Sequence, residues 1–233
     1  MTSTRRLLPL ALATVIAAST AAIALAHSGG GEAAPMAEHH HALAAHAHSH
    51  GAISANELAL RRTMDRLWEE HVAWTRLAII SLTTNAPDTN ATVARLLSNQ
   101  TDIGNAVKPF YGAAAGNELT RQLRAHIMIA AEVVLAAKAG DDAKLADAQA
   151  RWNANADQIA TVLNSVNPRY WPLATMKAEM HMHLKLTTDE AVARLQGNWK
   201  ADVAAYDKVH RHILHMSDML SDGIVKQFPS RFR

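Results

Sequence analysis

No cysteine occurs anywhere in the 233 residues. Thiol catalysis, disulfide framing and thiolate metal sites are therefore excluded, and any bound metal must be held by His, Asp, Glu, Met or backbone. Aromatic residues make up only 5% of the chain, and no basic face interleaved with aromatics suggests a nucleic-acid partner. Alternating strand-like runs of useful length are missing, so the expected fold class is all-α. Glycine-rich nucleotide loops, a credible Ser-His-Asp order, H-E-x-x-H and the di-iron Glu-x-x-His motif are missing too.

Charge of either sign is not in excess once the amino terminus is set aside. Arg5 and Arg6 precede an uncharged run, Leu7 to Ala26, that ends in the small-residue triplet Ala24-Leu25-Ala26. This is the pattern of a cleaved secretory signal over residues 1–26, and it predicts export to a periplasmic or extracellular compartment. Pro9 and the small-residue end favour cleavage, while the length of the run keeps an uncleaved membrane anchor as the alternative. Arg5-Arg6 lacks the flanking residues of a twin-arginine signal. Cleavage removes two arginines and no acid, which leaves 21 basic and 21 acidic residues. All 14 histidines stay in the mature part.

Residues 27–53 are rich in Gly, Ala and His, with His39, His40, His41, His46, His48 and His50 close together. The segment lacks the large apolar side chains that would offset ordering entropy, so it reads as a disordered tether. Such a tract is either an auxiliary, weak chelator of Zn, Cu or Ni or a histidine-biased linker. A helical bundle domain is expected over 54–229, with a short tail at 230–233.

Ser54 followed by Glu57 is a capping box that opens the first helix, which should end before Asn85-Ala86-Pro87-Asp88. Its inward seam reads Leu60, Met64, Leu67, His71, Trp74, Ala78. A second helical stretch should break near Thr101 to Gly104 and stop at Pro109 to Gly112. The third carries Leu119, Leu123, His126, Ala130 and Val133, and the fourth Ala148, Trp152, Asn155, Ile159 and Val162. A fifth begins near Pro172 with Leu173, Met176, Met180, His183 and Thr187 in its stripe. Thr187 with Glu190 resembles another capping signature, which predicts a break before the last helix. That helix presents Trp199, Asp202, Tyr206, Val209, Ile213 and Met216. The architecture expected is one bundle of about five to six helices with a ferritin-like or four-helix-bundle core.

His71, His126 and His183 thus fall on the apolar stripes of three different helices, and Asp202 on that of another. Imidazole is the commonest protein metal ligand, and a carboxylate neutralises charge on a divalent ion. These four are the expected metal ligands, for Zn, Fe, Mn or Cu. Glu70, Trp74, Asn155 and Tyr206 are the expected outer partners that would orient them. His212 and Met216 add weaker donors, a mixture suited to Cu(I) if they do not simply line a core or a solvated face. Proton competition at imidazoles of ordinary pKa would make metal stabilisation fade below about pH 6.5.

The segments His71 to Arg76, Lys108 to Gly112, Thr187 to Leu195 and Ser217 through Pro229 carry a resemblance over Glu57 to Phe232. They are similar to a family of uncharacterised secreted or surface helical proteins of bacteria. That resemblance implies export and a single helical domain and brings no established activity. The function expected from the residues is metal handling or sensing in an exported bundle. Three alternatives stand beside it: a structural or interaction domain whose histidines are hydrogen-bonded core residues, a metal-dependent redox or hydrolytic enzyme, and haem ligation by two of the histidines.

Overall fold

Helix signals in the sequence translate into five packed α-helices in the computed structural model, which describes residues 53–233. The expected signal segment and nearly all of the tether, His39 to His50 included, lie outside the described residues. The helices are α1 (Ala55–Thr84), α2 (Thr89–Ala139), α3 (Asp142–Val166), α4 (Leu173–Leu195) and α5 (Trp199–Gln227), with a 3-10 turn at Pro229–Arg231. The domain is all-α, and no strand occurs among the described residues. No described helix is long and apolar enough to cross a membrane.

Local chemistry explains the helix ends. Ser54 Oγ accepts from the Glu57 amide at 3.2 Å, satisfying one of the first free donors of α1. Glu57 spends its carboxylate on Arg61 rather than reaching back, so the box is only half closed. Asp141 and Asn198 cap α3 and α5 in the same way, accepting from the amides of Lys144 and Ala201. Gly140 and Gly197 adopt left-handed φ of 67° and 68° just beyond α2 and α4, and Asn85 does so at 56° after α1, a conformation that stops a helix at least cost with glycine and tolerably with asparagine.

Two expected breaks are corrected. Residues 101–104 run on as helix, and α2 reverses only at the expected stop, at Gly112, whose φ of 83° and ψ of 169° interrupt the helical path. The arms on either side, 89–111 and 113–139, fold back on each other. A methyl group on Gly104 would lie 2.6 Å from the Gly116 carbonyl oxygen, so the glycine serves close packing between arms and not a helix stop. Likewise α4 is unbroken at Thr187. Glu190 is buried and pairs with Arg76 of α1 at 2.7 Å, which is a tertiary contact and not a cap.

The chain therefore forms three antiparallel helix pairs: α1 with the first arm of α2, the second arm of α2 with α3, and α4 with α5. Asn99 Nδ2 donates to the Leu67 carbonyl in the first pair, Asn155 Nδ2 to the Gln122 carbonyl in the second, and His212 Nε2 to the Glu179 carbonyl in the third. Met64, Trp68, Val72, Ile103, Leu123, Trp152, Ile159, Met180, Ile213 and Leu220 fill the interior between them. Burying each such side chain contributes on the order of 1.5–3 kcal/mol. Ala156 and Ala160 are fully buried and let α3 approach its neighbours closely.

Candidate metal centre

Each helix pair delivers one histidine to the interior. His71, His126 and His183 are all buried, and their rings converge. The centroids of His71 and His183 are 5.7 Å apart, and those of His126 and His183 are 6.1 Å apart. His183 also stacks on His212, at 6.2 Å and 17° between planes. The indoles of Trp68 and Trp152 flank the group, against His71 and His126.

Hydrogen bonds fix which nitrogen of His126 bears its proton. Asn155 Nδ2 donates to both the carbonyl oxygen and Oε1 of Gln122, and Gln122 Nε2 donates to Glu118. Asn155 must then present Oδ1 to His126 Nδ1, at 2.9 Å. Oxygen only accepts here, so Nδ1 carries the proton and the Nε2 lone pair is left for a ligand. An outer amide that locks a ring in its ligating tautomer is the arrangement found around metal-bound histidines. His71 differs, because its Nδ1 faces the donor Gln100 Nε2 at 3.2 Å. Gln100 Nε2 also meets the Leu96 carbonyl and Asn99 Oδ1, one acceptor more than its two hydrogens can serve.

Burial holds all three rings neutral. Loss of hydration pushes His71 down to about 3, reinforced by the neighbouring His126, with the Gln100 contact opposing. His126 falls to about 4 for the same reason, against the Asn155 bond. His183 is pushed well below its ordinary value by burial and by the three imidazoles around it. Neutral imidazole is the coordinating form. Several polar atoms in this interior, His183 Nδ1, Gln100 Oε1 and Thr187 Oγ1, are buried with no hydrogen-bond partner among the described residues. Such atoms cost about 1–3 kcal/mol each unless something answers them.

Imidazoles bonded tetrahedrally to one ion at about 2.0–2.1 Å have ring centres roughly 5 to 6 Å apart. The 5.7 Å spacing falls inside that range and the 6.1 Å spacing just beyond it. Among the described residues no three His, Asp or Glu groups already stand in ligand geometry. A shared ion therefore requires the rings to reorient toward one another.

The structure does not bring Asp202 to these rings. Its carboxylate accepts from Arg76 at 2.9 Å and from Arg194 at 3.1 Å. It lies ten residues before His212 on α5, about 15 Å along the axis. Asp202 faces inward as its stripe requires, but at another height. Of the expected outer partners, only Asn155 touches a ring. Glu70 pairs with Arg66 and Arg95, Trp74 lies beneath the Arg95 guanidinium, and Tyr206 lies beneath that of Arg76. Met216 lines an apolar pocket with Met64, Trp68 and Met180. Gln100, Gln122 and Trp68 were not anticipated, although Gln100 does stand in the stripe Leu96, Gln100, Ile103, Val107.

Comparison with family profiles, curated proteins and solved structures finds no match.

Proposed function

We propose that this exported helical bundle binds a transition metal ion among His71, His126 and His183, and that its role is to hold or sense the metal. The observation that carries the reading is the meeting of three neutral imidazoles from three helices, one of them locked with its Nε2 lone pair free. Buried polar atoms without partners beside them support it, because an ion or ordered water would answer them. Zn, Cu, Fe and Mn all accept such nitrogen donors. Among the described residues no carboxylate contacts His71, His126 or His183, which disfavours a hard-ion or di-iron chemistry at these rings, in which oxygen ligands dominate. It also weighs against an enzyme that would use Asp202 at the metal.

The test uses the full chain with His39, His40, His41, His46, His48 and His50 replaced by serine, so that the tether contributes nothing. A native-state ligand at a hundredfold excess over its dissociation constant stabilises by about 2.7 kcal/mol. Zn2+ should raise the thermal midpoint of this protein at pH 7.5, and His126→Leu should markedly reduce that rise. Because the folded rings stay neutral to about pH 4, the rise should persist at pH 5, below the limit expected from an ordinary imidazole. If the midpoint ignores Zn2+, or His126→Leu responds like the parent, the structural-domain reading replaces this one.

A further inference from the structure

His212 reaches from the interior cluster to the surface, and its outer side carries a second set of donors. Its Nε2 lies 3.1 Å from the Glu179 carbonyl oxygen. A carbonyl only accepts, so Nε2 holds a proton. The other nitrogen, Nδ1, faces Glu179 Oε2 at 3.7 Å, and His215 Nε2 faces Glu179 Oε1 at 4.0 Å. A bare ring nitrogen and a carboxylate oxygen repel unless a cation, a proton or a metal ion, lies between them.

The spacing suits a metal. Donors around one ion at about 2.0–2.2 Å in tetrahedral geometry are roughly 3.4 Å apart. Glu179 is the middle member, and small movements close the gaps. His215 can supply them, being 66% exposed, whereas His212 is held at 9%. His212 and His215 are three residues apart on α5 and so lie on one face, with Glu179 opposite on α4.

We propose that Glu179, His212 and His215 form a second, surface metal site that takes a divalent transition ion of the Zn2+ type. Two imidazoles and one carboxylate give such an ion three mixed donors and leave positions for water, so exchange with solvent is open. This site does not depend on the interior cluster holding metal. Where both are loaded, His212 stacked on His183 makes it the threshold between them.

Zn2+ is titrated into the full chain bearing the six tether replacements, in competition with a chromophoric chelator. Groups around a metal that do not even touch it change affinity by about 10–100-fold, so loss of a direct donor should weaken one site at least about tenfold. Both Glu179→Gln and His215→Ala should show this, and both alter partly or largely exposed side chains. His210→Ala is the control. His210 is also on α5 but pairs with Glu69, so the variant should bind like the parent. The proposal is overturned if Glu179→Gln and His215→Ala bind like the parent, which would mean a proton alone bridges these groups. It is equally overturned if His210→Ala weakens binding as much as His215→Ala. His126→Leu tests the interior site separately, since it removes no surface donor.

Discussion

Replacing His183 with leucine isolates the cost of a buried neutral imidazole. In the metal-free protein, kept so by chelator, His71, His126 and His183 stay unprotonated in the fold while their unfolded counterparts titrate near 6.5. A folded pKa held below the unfolded one means that the unfolded chain takes up more protons as pH falls, so stability is lost from about pH 6.5 downward. Between pH 7 and pH 5 His71 and His126 each forfeit about 2 kcal/mol, about 4 kcal/mol together, and His183 adds a loss in the same direction. Glu190 works the other way. Burial raises it to about 7, with Arg76 opposing, and a raised carboxyl gains stability as pH falls, by about 2 kcal/mol over the same interval. The net loss from His71, His126 and Glu190 is about 2 kcal/mol, to which His183 adds, against the roughly 5–15 kcal/mol of a typical domain. His183 Nδ1 has no hydrogen bond to forfeit, and leucine removes this unanswered polar atom, so His183→Leu should raise stability at pH 7 by about 1–3 kcal/mol. At pH 5 the variant should exceed the parent by more than it does at pH 7, because the unfolded parent gains a proton on this ring that the fold refuses. Urea unfolding of both proteins at both pH values measures this. If parent and variant lose the same stability between pH 7 and pH 5, the burial argument for this ring is wrong.

Gly104→Ala should destabilise by about 1–3 kcal/mol through overpacking, because its methyl group would press on the Gly116 carbonyl and on Thr120; a thermal midpoint unchanged from the parent's would show that the two arms of α2 can part freely. Glu190→Gln should stabilise the protein at pH 8, where a buried carboxylate is otherwise held charged, and the gain should shrink as pH falls through 7 toward 4.5; a gain independent of pH in urea titrations would rule out ionisation as its cause.

Spacing carried the helices into view because it reports which way a residue faces. The seam of α1 from Leu60 through His71 to Ala78, the Ser54 cap and the reversal at Pro109 to Gly112 all rest on such local information. Local information also misleads where one residue type serves two purposes. Thr187 with Glu190 has the letters of a cap, yet Glu190 reaches 114 residues back to Arg76. Gly104 has the look of a stop but provides a contact between arms. For the candidate site, periodicity placed three histidines inward and could say nothing of their height. The pairing order of the helices supplies that height: it brings His71 and His126 alongside His183 and leaves Asp202 about three turns away. The proton position on His126 was beyond reach of periodicity, since it depends on Gln122 and Glu118 orienting Asn155.

Three helix pairs, each contributing one of the three interior rings, have a kinetic meaning. A pair of consecutive helices joined by a short turn can form early, since little loop entropy opposes it. Such a pair holds His71 with Gln100, or His126 with Asn155, or His183 with His212, and never two of the three core rings. The cluster comes into being only when separately formed hairpins dock, including α1 beside α4 across more than a hundred residues of chain. A partly folded molecule therefore offers an ion a single core imidazole per hairpin, and the topology itself keeps a metal from being trapped among these three rings before the bundle has closed.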